Sequence, residues 1–312
     1  MNLDTRNHTT VYFPRSPRYG WFWKGTELTE SQTEVVQFAR LESTLAADRE
    51  RYASAAPFPH VVLDGLLDQG AFERACSGFP PIEDASWKSY LHVNERKYAS
   101  QEPDAWDATL RRITRELTSD RFVAYLEQLT GFSGLLVDPE MDGGGLHQSF
   151  RGGYLNLHAD FTSHHTHLDW RRRVNILLYL NREWHADWGG ELEFWNEDRS
   201  RCVERVAPIG NRLVVFTTDE TSYHGHPDPM TCPDHVGRQS LALYYFQRES
   251  DPLTQATDYR ARPDDGGVKA ASIYLDKKML GVYDVVKRRL NLRDGFASNL
   301  LGRVNRLRHR QR

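Results

Sequence analysis

The spacing of apolar residues divides the chain into a helical first part and a strand-rich second part. In the first part, apolar residues recur every three or four positions, which is the spacing of one face of a helix. The helices predicted on this ground cover residues 30–52, 68–78, 104–118 and 122–130, and a short strand is predicted over 58–63. Residues 1–30 contain prolines and aromatic residues without a period, and they predict an extended arm.

From about residue 134 the apolar runs become short, rich in β-branched and aromatic residues, and separated by Gly, Pro, Asn and Asp. The predicted strands cover residues 154–161, 174–180, 191–195, 203–207, 213–216 and 240–246. Many short strands after a helical lead-in predict an α+β fold in which a double-stranded β-helix, or jelly roll, is flanked by helices. We expect an arm and support helices over 1–133, a jelly-roll catalytic core over 134–250, and a linker with a helical, basic tail over 251–312.

Composition restricts the classes of function. The apolar fraction of 39% is typical of a globular protein, and the net charge of -3 gives no reason to expect nucleic acid as a partner. No apolar run approaches the roughly 20 residues that span a bilayer, and the first residues lack the apolar stretch of a secretory signal. The cysteines Cys76, Cys202 and Cys232 form no CxxC pair, which argues against a disulfide framework or a zinc knuckle. A reducing, cytoplasmic setting is expected, and composition does not indicate an oligomeric state.

A candidate metal site begins at His158 and Asp160, which lie two positions apart in a predicted strand. Because strand side chains alternate between the two faces, this imidazole and this carboxylate point the same way. A mixed nitrogen and oxygen set suits ferrous iron when a second histidine joins it and other coordination positions stay open.

The second histidine is expected after the predicted strand 213–216, where both His224 and His226 occur. Either residue would serve as a ligand. His226 precedes two prolines in a segment expected to turn away, which favours His224. Three further histidines, His164, His165 and His167, are expected to form a polar loop that lines the entrance or is simply exposed.

A candidate carboxylate site lies at the start of the last predicted strand of the core. Arg238 and Ser240 share a face there, and a guanidinium binds a carboxylate through two parallel hydrogen bonds. The distal carboxylate of 2-oxoglutarate is such a ligand, and the 2-oxo acid end of this molecule chelates iron. Tyr179, in the predicted strand 174–180, is a further hydroxyl donor for the same carboxylate, or else an ordinary core aromatic residue.

In this order, the residues resemble the 2-oxoglutarate/Fe(II)-dependent dioxygenase superfamily, in its prolyl-4-hydroxylase-like branch, over about 143–248. The resemblance is carried by GGYLNLHADF, RRVNILLYLNREW, GGELEFW, PIGNRLVVF, YHGHP and RQSLALYYF. It implies that His158, Asp160 and His224 are the metal ligands and catalytic residues, since the spacing from strand to histidine matches His224. It also implies Fe(II), O2 and 2-oxoglutarate as cofactor and cosubstrates, with ascorbate as a reductant in assays.

The resemblance implies hydroxylation of an unactivated C–H bond in an amino-acid, peptidyl or natural-product substrate, with release of succinate and CO2. Halogenating relatives replace the carboxylate ligand, so the presence of Asp160 favours hydroxylation, while desaturation and cyclisation remain open. Alkylated-base demethylases carry a second arginine where this chain has Tyr244, which makes nucleic acid an unexpected substrate. The alternatives are a non-catalytic, cupin-like metal-binding protein and a zinc hydrolase.

Overall fold

The computed structural model describes residues 34–250 and 256–276, so the predicted arm and most of the basic tail lie outside the described residues. Four helices precede the core: α1 (Phe38–Ser54), α2 (Gln69–Ser77), α3 (Ala108–Leu117) and α4 (Asp120–Thr130). The strands are β1 (His60–Asp64), β2 (Lys88–Leu91), β3 (Glu95–Ser100), β4 (Leu136–Val137), β5 (Gly145–Ser149), β6 (Tyr154–Ala159), β7 (Trp170–Tyr179), β8 (Leu192–Trp195), β9 (Cys202–Val206), β10 (Arg212–Thr217), β11 (His224–His226), β12 (Arg238–Arg248) and β13 (Asp258–Tyr259). A further helix covers 267–276 at the edge of the described residues.

The first helix begins later than its apolar pattern predicts. Val35 and Val36 are buried, but they lie in an extended segment that pairs with Leu67 before the helix starts at Phe38. Their backbone N–H groups donate to the carboxylate of Glu116, over 3.0 and 2.8 Å. The predicted helix was therefore wrong over residues 34–37, because a distant carboxylate satisfies the donors that a helical turn there would have satisfied, while residues 30–33 lie outside the described residues.

The predicted helix over 104–118 is interrupted. A single 3-10 turn, Pro103–Ala105, is followed by α3, which begins after Asp107 accepts a hydrogen bond from the N–H of Thr109 at 2.7 Å. Trp106 lies between the two pieces and is buried, and its indole N–H donates to the Ser100 hydroxyl at 2.9 Å. The side-chain cap at Asp107 thus sets the start of the helix, while the predicted apolar stripe stays in the core.

The strands form one antiparallel sheet that curls nearly into a barrel, in the order β1-β10-β7-β12-β5-β3-β6-β11-β8-β9. The helices cover the outer face of its larger half, where apolar residues of α1 to α4 pack against every second residue of β7 and β12. Among these residues are Ile113, Leu117, Ile176, Leu178 and Leu241, all with essentially no exposed surface. The other face of these strands lines the interior of the barrel. The predicted α+β class, with a jelly-roll core and flanking helices, is confirmed.

Several strands of the structure were not predicted from the sequence pattern. The hairpin of β2 and β3 lies in the part assigned to support helices, and β3 pairs with β5 and with β6, so it joins the two halves of the barrel. The strand β7 begins at Trp170, so it includes the run 171–173, which precedes the predicted strand 174–180. After the core, β13 pairs with β6. Among the residues that the structure describes, no helix combines the length and the apolar composition needed to cross a membrane.

Candidate active site

The predicted metal residues meet at one point inside the barrel. His158 lies near the end of β6, Asp160 directly follows that strand, and His224 begins β11, where it is the register partner of His158. The Nε2 atoms of His158 and His224 are each 3.4 Å from a different carboxylate oxygen of Asp160. One ligand atom from each residue lies within 4.8 Å of the other two.

Backbone carbonyls fix the orientation of both imidazoles. The Nδ1 atom of His158 is 2.9 Å from the carbonyl oxygen of Asn156, and that of His224 is 2.9 Å from the carbonyl oxygen of Ser222. If each Nδ1 carries the proton, both Nε2 lone pairs face the Asp160 carboxylate. This tautomer is the one that a metal-ligating histidine requires.

Burial and charge keep these groups in their ligating forms. Burial lowers the pKa of His224 to about 4, so its imidazole is neutral near pH 7. Burial acts to raise the pKa of Asp160, but the Arg172 guanidinium and the two imidazoles hold this pKa well below its ordinary value. Two imidazoles and one carboxylate, all buried and directed at one another, fit a divalent first-row metal such as Fe(II).

Two residues that the sequence did not single out contact the carboxylate. Arg172 Nη2 is 3.0 Å from Asp160 Oδ2, and Asn175 Nδ2 donates to the same oxygen at 2.8 Å. Both residues belong to β7. Asn175 stands at an alternating interior position that a pattern search would have reached, but the inward direction of Arg172 depends on a bulge in the pairing of β7 with β12.

The predicted carboxylate-binding residues gather at another end of the barrel interior. Arg238 is buried, and it donates from Nε to the carbonyl of Gly190 at 2.7 Å and from Nη2 to the hydroxyl oxygen of Tyr179 at 3.0 Å. Ser240 is the register partner of Tyr179 across the β7–β12 pair, so the three polar side chains face the same interior. Burial raises the pKa of Tyr179, which keeps the phenol protonated. Tyr179 is therefore more than an apolar filler of the core.

Two other arginines of the barrel strands, Arg173 and Arg212, form ion pairs of their own. Arg173 extends from β7 toward Gln247 and Glu249, and Arg212 pairs with Asp64 at 2.6 Å. Neither pair includes Arg238, although the charge of Arg212 acts on the hydroxyl of Tyr179.

The histidines outside the triad divide by position. His226 is buried in the same short strand as His224, but the pairing is irregular between them, and His226 lies opposite Leu155. His164 is fully buried, with Nε2 3.2 Å from the Asp138 carboxylate, and His165 bonds to Asp142. An exposed loop was thus the wrong interpretation for His164, because aromatic neighbours and a carboxylate enclose it.

The side chains of polar residues near the triad strand face different sides of the sheet. His147 is the register partner of Ser240, and so faces the interior, while Gln148 lies opposite Gln239 on the other face. The Asn156 amide donates to the carbonyl of Val93 at 3.0 Å and so ties the triad strand to the β2–β3 turn.

A second buried polar group lies close to the triad and was missed by the sequence pattern. Lys97 Nζ is 2.8 Å from the Glu95 carboxylate on β3, and that carboxylate also contacts His92 at 2.9 Å. The ring of Tyr259 in β13 lies 5.4 Å from the ring of His158 and is a further wall of the site. These residues come from segments before and after the jelly roll, which explains why the core motifs did not reveal them.

Comparisons with known proteins agree with this geometry. A family model described as the 2OG-Fe(II) oxygenase superfamily matches residues 144–246. The prolyl 3-hydroxylase OGFOD1 of Mus musculus is 24% identical over 136 residues, which are 42% of this chain and 23% of that protein. The chain thus spans about a quarter of the length of this curated relative.

Two solved structures show the extent of the likeness in three dimensions. A prolyl hydroxylase from Trichoplax adhaerens, in complex with a hypoxia inducible factor peptide fragment, superposes with a TM-score of 0.50 at 15% identity, over 70% of this chain and 94% of that chain. A prolyl-4-hydroxylase from Pseudomonas putida gives a TM-score of 0.47 at 18% identity, over 66% and 100% of the two chains. The Trichoplax structure shares the fold.

The family model includes the interior strands that carry His158, Asp160, His224 and Arg238. Fe(II) and 2-oxoglutarate, the metal and the cosubstrate of the superfamily, give it its name. Over residues 144–246 the chain therefore matches the 2OG-Fe(II) oxygenase superfamily.

Proposed function

We propose that this protein is an Fe(II)- and 2-oxoglutarate-dependent dioxygenase that hydroxylates an unactivated C–H bond. The observation that supports this most strongly is the convergence of a buried His-Asp-His cluster and a buried arginine–tyrosine pair on one barrel interior. A metal-binding protein without activity has no use for the second feature. A zinc hydrolase would equally leave Arg238 without a role.

In this proposal His158, Asp160 and His224 hold the iron, and Arg238, Tyr179 and Ser240 hold the distal carboxylate of 2-oxoglutarate. When bound, the iron activates O2 at the expense of 2-oxoglutarate, which leaves as succinate and CO2. The protein orients the reacting groups and restricts the access of water, since all six of these residues are buried.

The substrate class is an amino-acid, peptidyl or natural-product compound, and a peptidyl proline is the first to test. The mouse relative is a prolyl 3-hydroxylase and the Trichoplax relative a prolyl hydroxylase, which supports a prolyl residue as the target. Desaturation or cyclisation at the same site would follow from the same removal of hydrogen. We also propose that residues 134–250 are the catalytic core and that the flanking segments support it.

The test uses the full-length protein loaded with Fe(II) under anaerobic conditions and then exposed to O2 with 2-oxoglutarate and ascorbate. We expect succinate formation by the wild-type protein, including slow uncoupled turnover without substrate. His158→Ala and Asp160→Ala should abolish it, whereas Arg173→Ala, a change outside the site, should not.

Succinate formation by the two triad variants at the wild-type rate would exclude the ligand assignment. Binding of iron without any binding of 2-oxoglutarate would instead support a non-catalytic metal-binding protein.

A further inference from the structure

A buried arginine stands beside the metal triad. Arg172 is 2% exposed, and its Nη2 lies 3.0 Å from Asp160 Oδ2. Its Nε donates to Asn175 Oδ1 at 2.7 Å, and Asn175 Nδ2 donates in turn to Asp160 Oδ2 at 2.8 Å. The three side chains therefore close a triangle in which an ion pair from Arg172 and a hydrogen bond from Asn175 meet on one carboxylate oxygen.

Aromatic rings restrain the guanidinium of this arginine. Its Cζ lies 3.3 Å from the ring centroid of Tyr244 and 4.6 Å from that of Phe161. Tyr244 is itself held by a hydrogen bond from its hydroxyl to the carbonyl of Gly143 at 2.9 Å. A planar cation packed against aromatic faces loses little further freedom when it binds a carboxylate.

A β-bulge directs Arg172 inward. The pairing of β7 with β12 matches Val174 with Tyr245 and then Arg172 with Phe246, so Arg173 is an extra residue without a partner in the register. By strict alternation from Asn175, Arg173 would face the interior. The bulge exchanges the two arginines, and such bulges redirect side chains at functional sites.

From this geometry we infer that Arg172 is a positioning residue for Asp160, an inference that rests on the proposed function. The Asn175 amide donates to Oδ2, and the Arg172 guanidinium forms an ion pair with the same oxygen, so both contacts engage Oδ2 and neither engages Oδ1. Asp160 then offers a metal Oδ1 only. Arg172 and Asn175 thus fix a one-oxygen mode of ligation.

The same contact changes the charge of the site. The Asp160 carboxylate carries one negative charge, and the guanidinium of Arg172 cancels it. With a divalent metal bound, the net charge of the site is then about +2 instead of +1, so the site attracts the dianion 2-oxoglutarate more strongly than the same triad without Arg172 would. Arg172 therefore contributes to cosubstrate binding without contacting the distal carboxylate.

The test uses metal-free full-length protein titrated with Co(II), whose visible absorption reports the number and arrangement of its ligands. Arg172→Met keeps an unbranched side chain against the two rings but removes the charge and the donors. We expect an altered Co(II) spectrum without cosubstrate, and a dissociation constant for 2-oxoglutarate raised about tenfold or more. Arg173→Met, one residue away and directed outward, is the matched control and should change neither quantity.

Two further variants separate geometry from charge. Arg172→Lys should restore 2-oxoglutarate binding to within about threefold but not the Co(II) spectrum, because an ammonium keeps the charge and loses the fork. Asn175→Ala should alter the spectrum while leaving 2-oxoglutarate binding within about threefold, because the charge stays. This variant also carries the test if Arg172→Met does not fold.

A wild-type Co(II) spectrum and wild-type 2-oxoglutarate affinity in Arg172→Met would overturn the inference and leave Arg172 a role in stability alone. A wild-type spectrum in Asn175→Ala would overturn the one-oxygen mode. If the wild-type Co(II) protein binds no 2-oxoglutarate, the proposed function fails, while the spectra without cosubstrate still decide the role of Arg172.

Discussion

Replacement of Arg238 by alanine tests the cosubstrate site most directly. Arg238 is 8% exposed, and two of its five N–H donors are committed to the Gly190 carbonyl and the Tyr179 hydroxyl. Up to three donors remain for a carboxylate. Loss of a charge-assisted, two-pronged contact in a buried site costs about 2–4 kcal/mol, which corresponds to a roughly 30- to 1000-fold weaker affinity.

The assay is anaerobic calorimetry of 2-oxoglutarate binding to metal-loaded protein, with metal content measured in parallel. We expect Arg238→Ala to lose 2-oxoglutarate affinity by this factor while it keeps its metal, because the triad lies on other strands. Arg238→Lys should recover only part of the affinity, and Tyr179→Phe should lose about tenfold or less, since one neutral hydrogen bond is removed.

Arg212→Ala is the comparison variant, because this arginine pairs with Asp64 but its charge also acts on Tyr179. Wild-type affinity in Arg238→Ala would refute the assignment. A loss of affinity in Arg212→Ala alone would transfer the role to that residue.

Three further predictions follow from the geometry. His224→Ala should lose bound iron in metal analysis, whereas His226→Ala should keep most of it, since His224 and not His226 lies within ligating distance of His158 and Asp160. The reverse result would assign the ligand role to His226. Burial and the nearby Lys97 ammonium lower the pKa of His147 from 6.5 to about 3, so the unfolded state takes up a proton that the folded state does not. This contribution to the free energy of unfolding is fully present above about pH 6.5 and falls with the pH, by about 2 kcal/mol at pH 5. Urea unfolding above pH 6.5 and at pH 5 measures the loss, and His147→Gln should remove it. Ile113→Ala leaves a cavity at a fully buried position in α3 and should lower the free energy of unfolding by about 2–5 kcal/mol in the same assay. A change below about 1 kcal/mol would mean that neighbouring side chains fill this cavity.

Local periodicity carried the predictions that succeeded. The two-residue spacing of His158 and Asp160 predicted that they point the same way, and the spacing of Arg238 and Ser240 predicted a shared interior face. In the structure each pair is turned toward the barrel interior. Such predictions need only the direction of side chains along one strand, which is a property of the backbone over a few residues.

Apolar stripes predicted the helices well in their middles and less well at their ends. The residues Leu110, Ile113 and Leu117 are buried as predicted, because helical periodicity extends over several turns. The start of α1 depends on Glu116, which is 80 positions away from Val36 in sequence. No local pattern contains that contact.

Tertiary structure alone decided which residues surround the triad. The sequence allowed both His224 and His226 as ligands and favoured His224, but only the pairing of β11 with β6 places His224 opposite His158. The bulge in β7 selects Arg172 over Arg173 for the interior, and a single extra residue in a strand has no signature in an alternating pattern. Sequence spacing determines which way a side chain points from its own strand, whereas the partner it meets depends on the register between strands that are far apart in the chain.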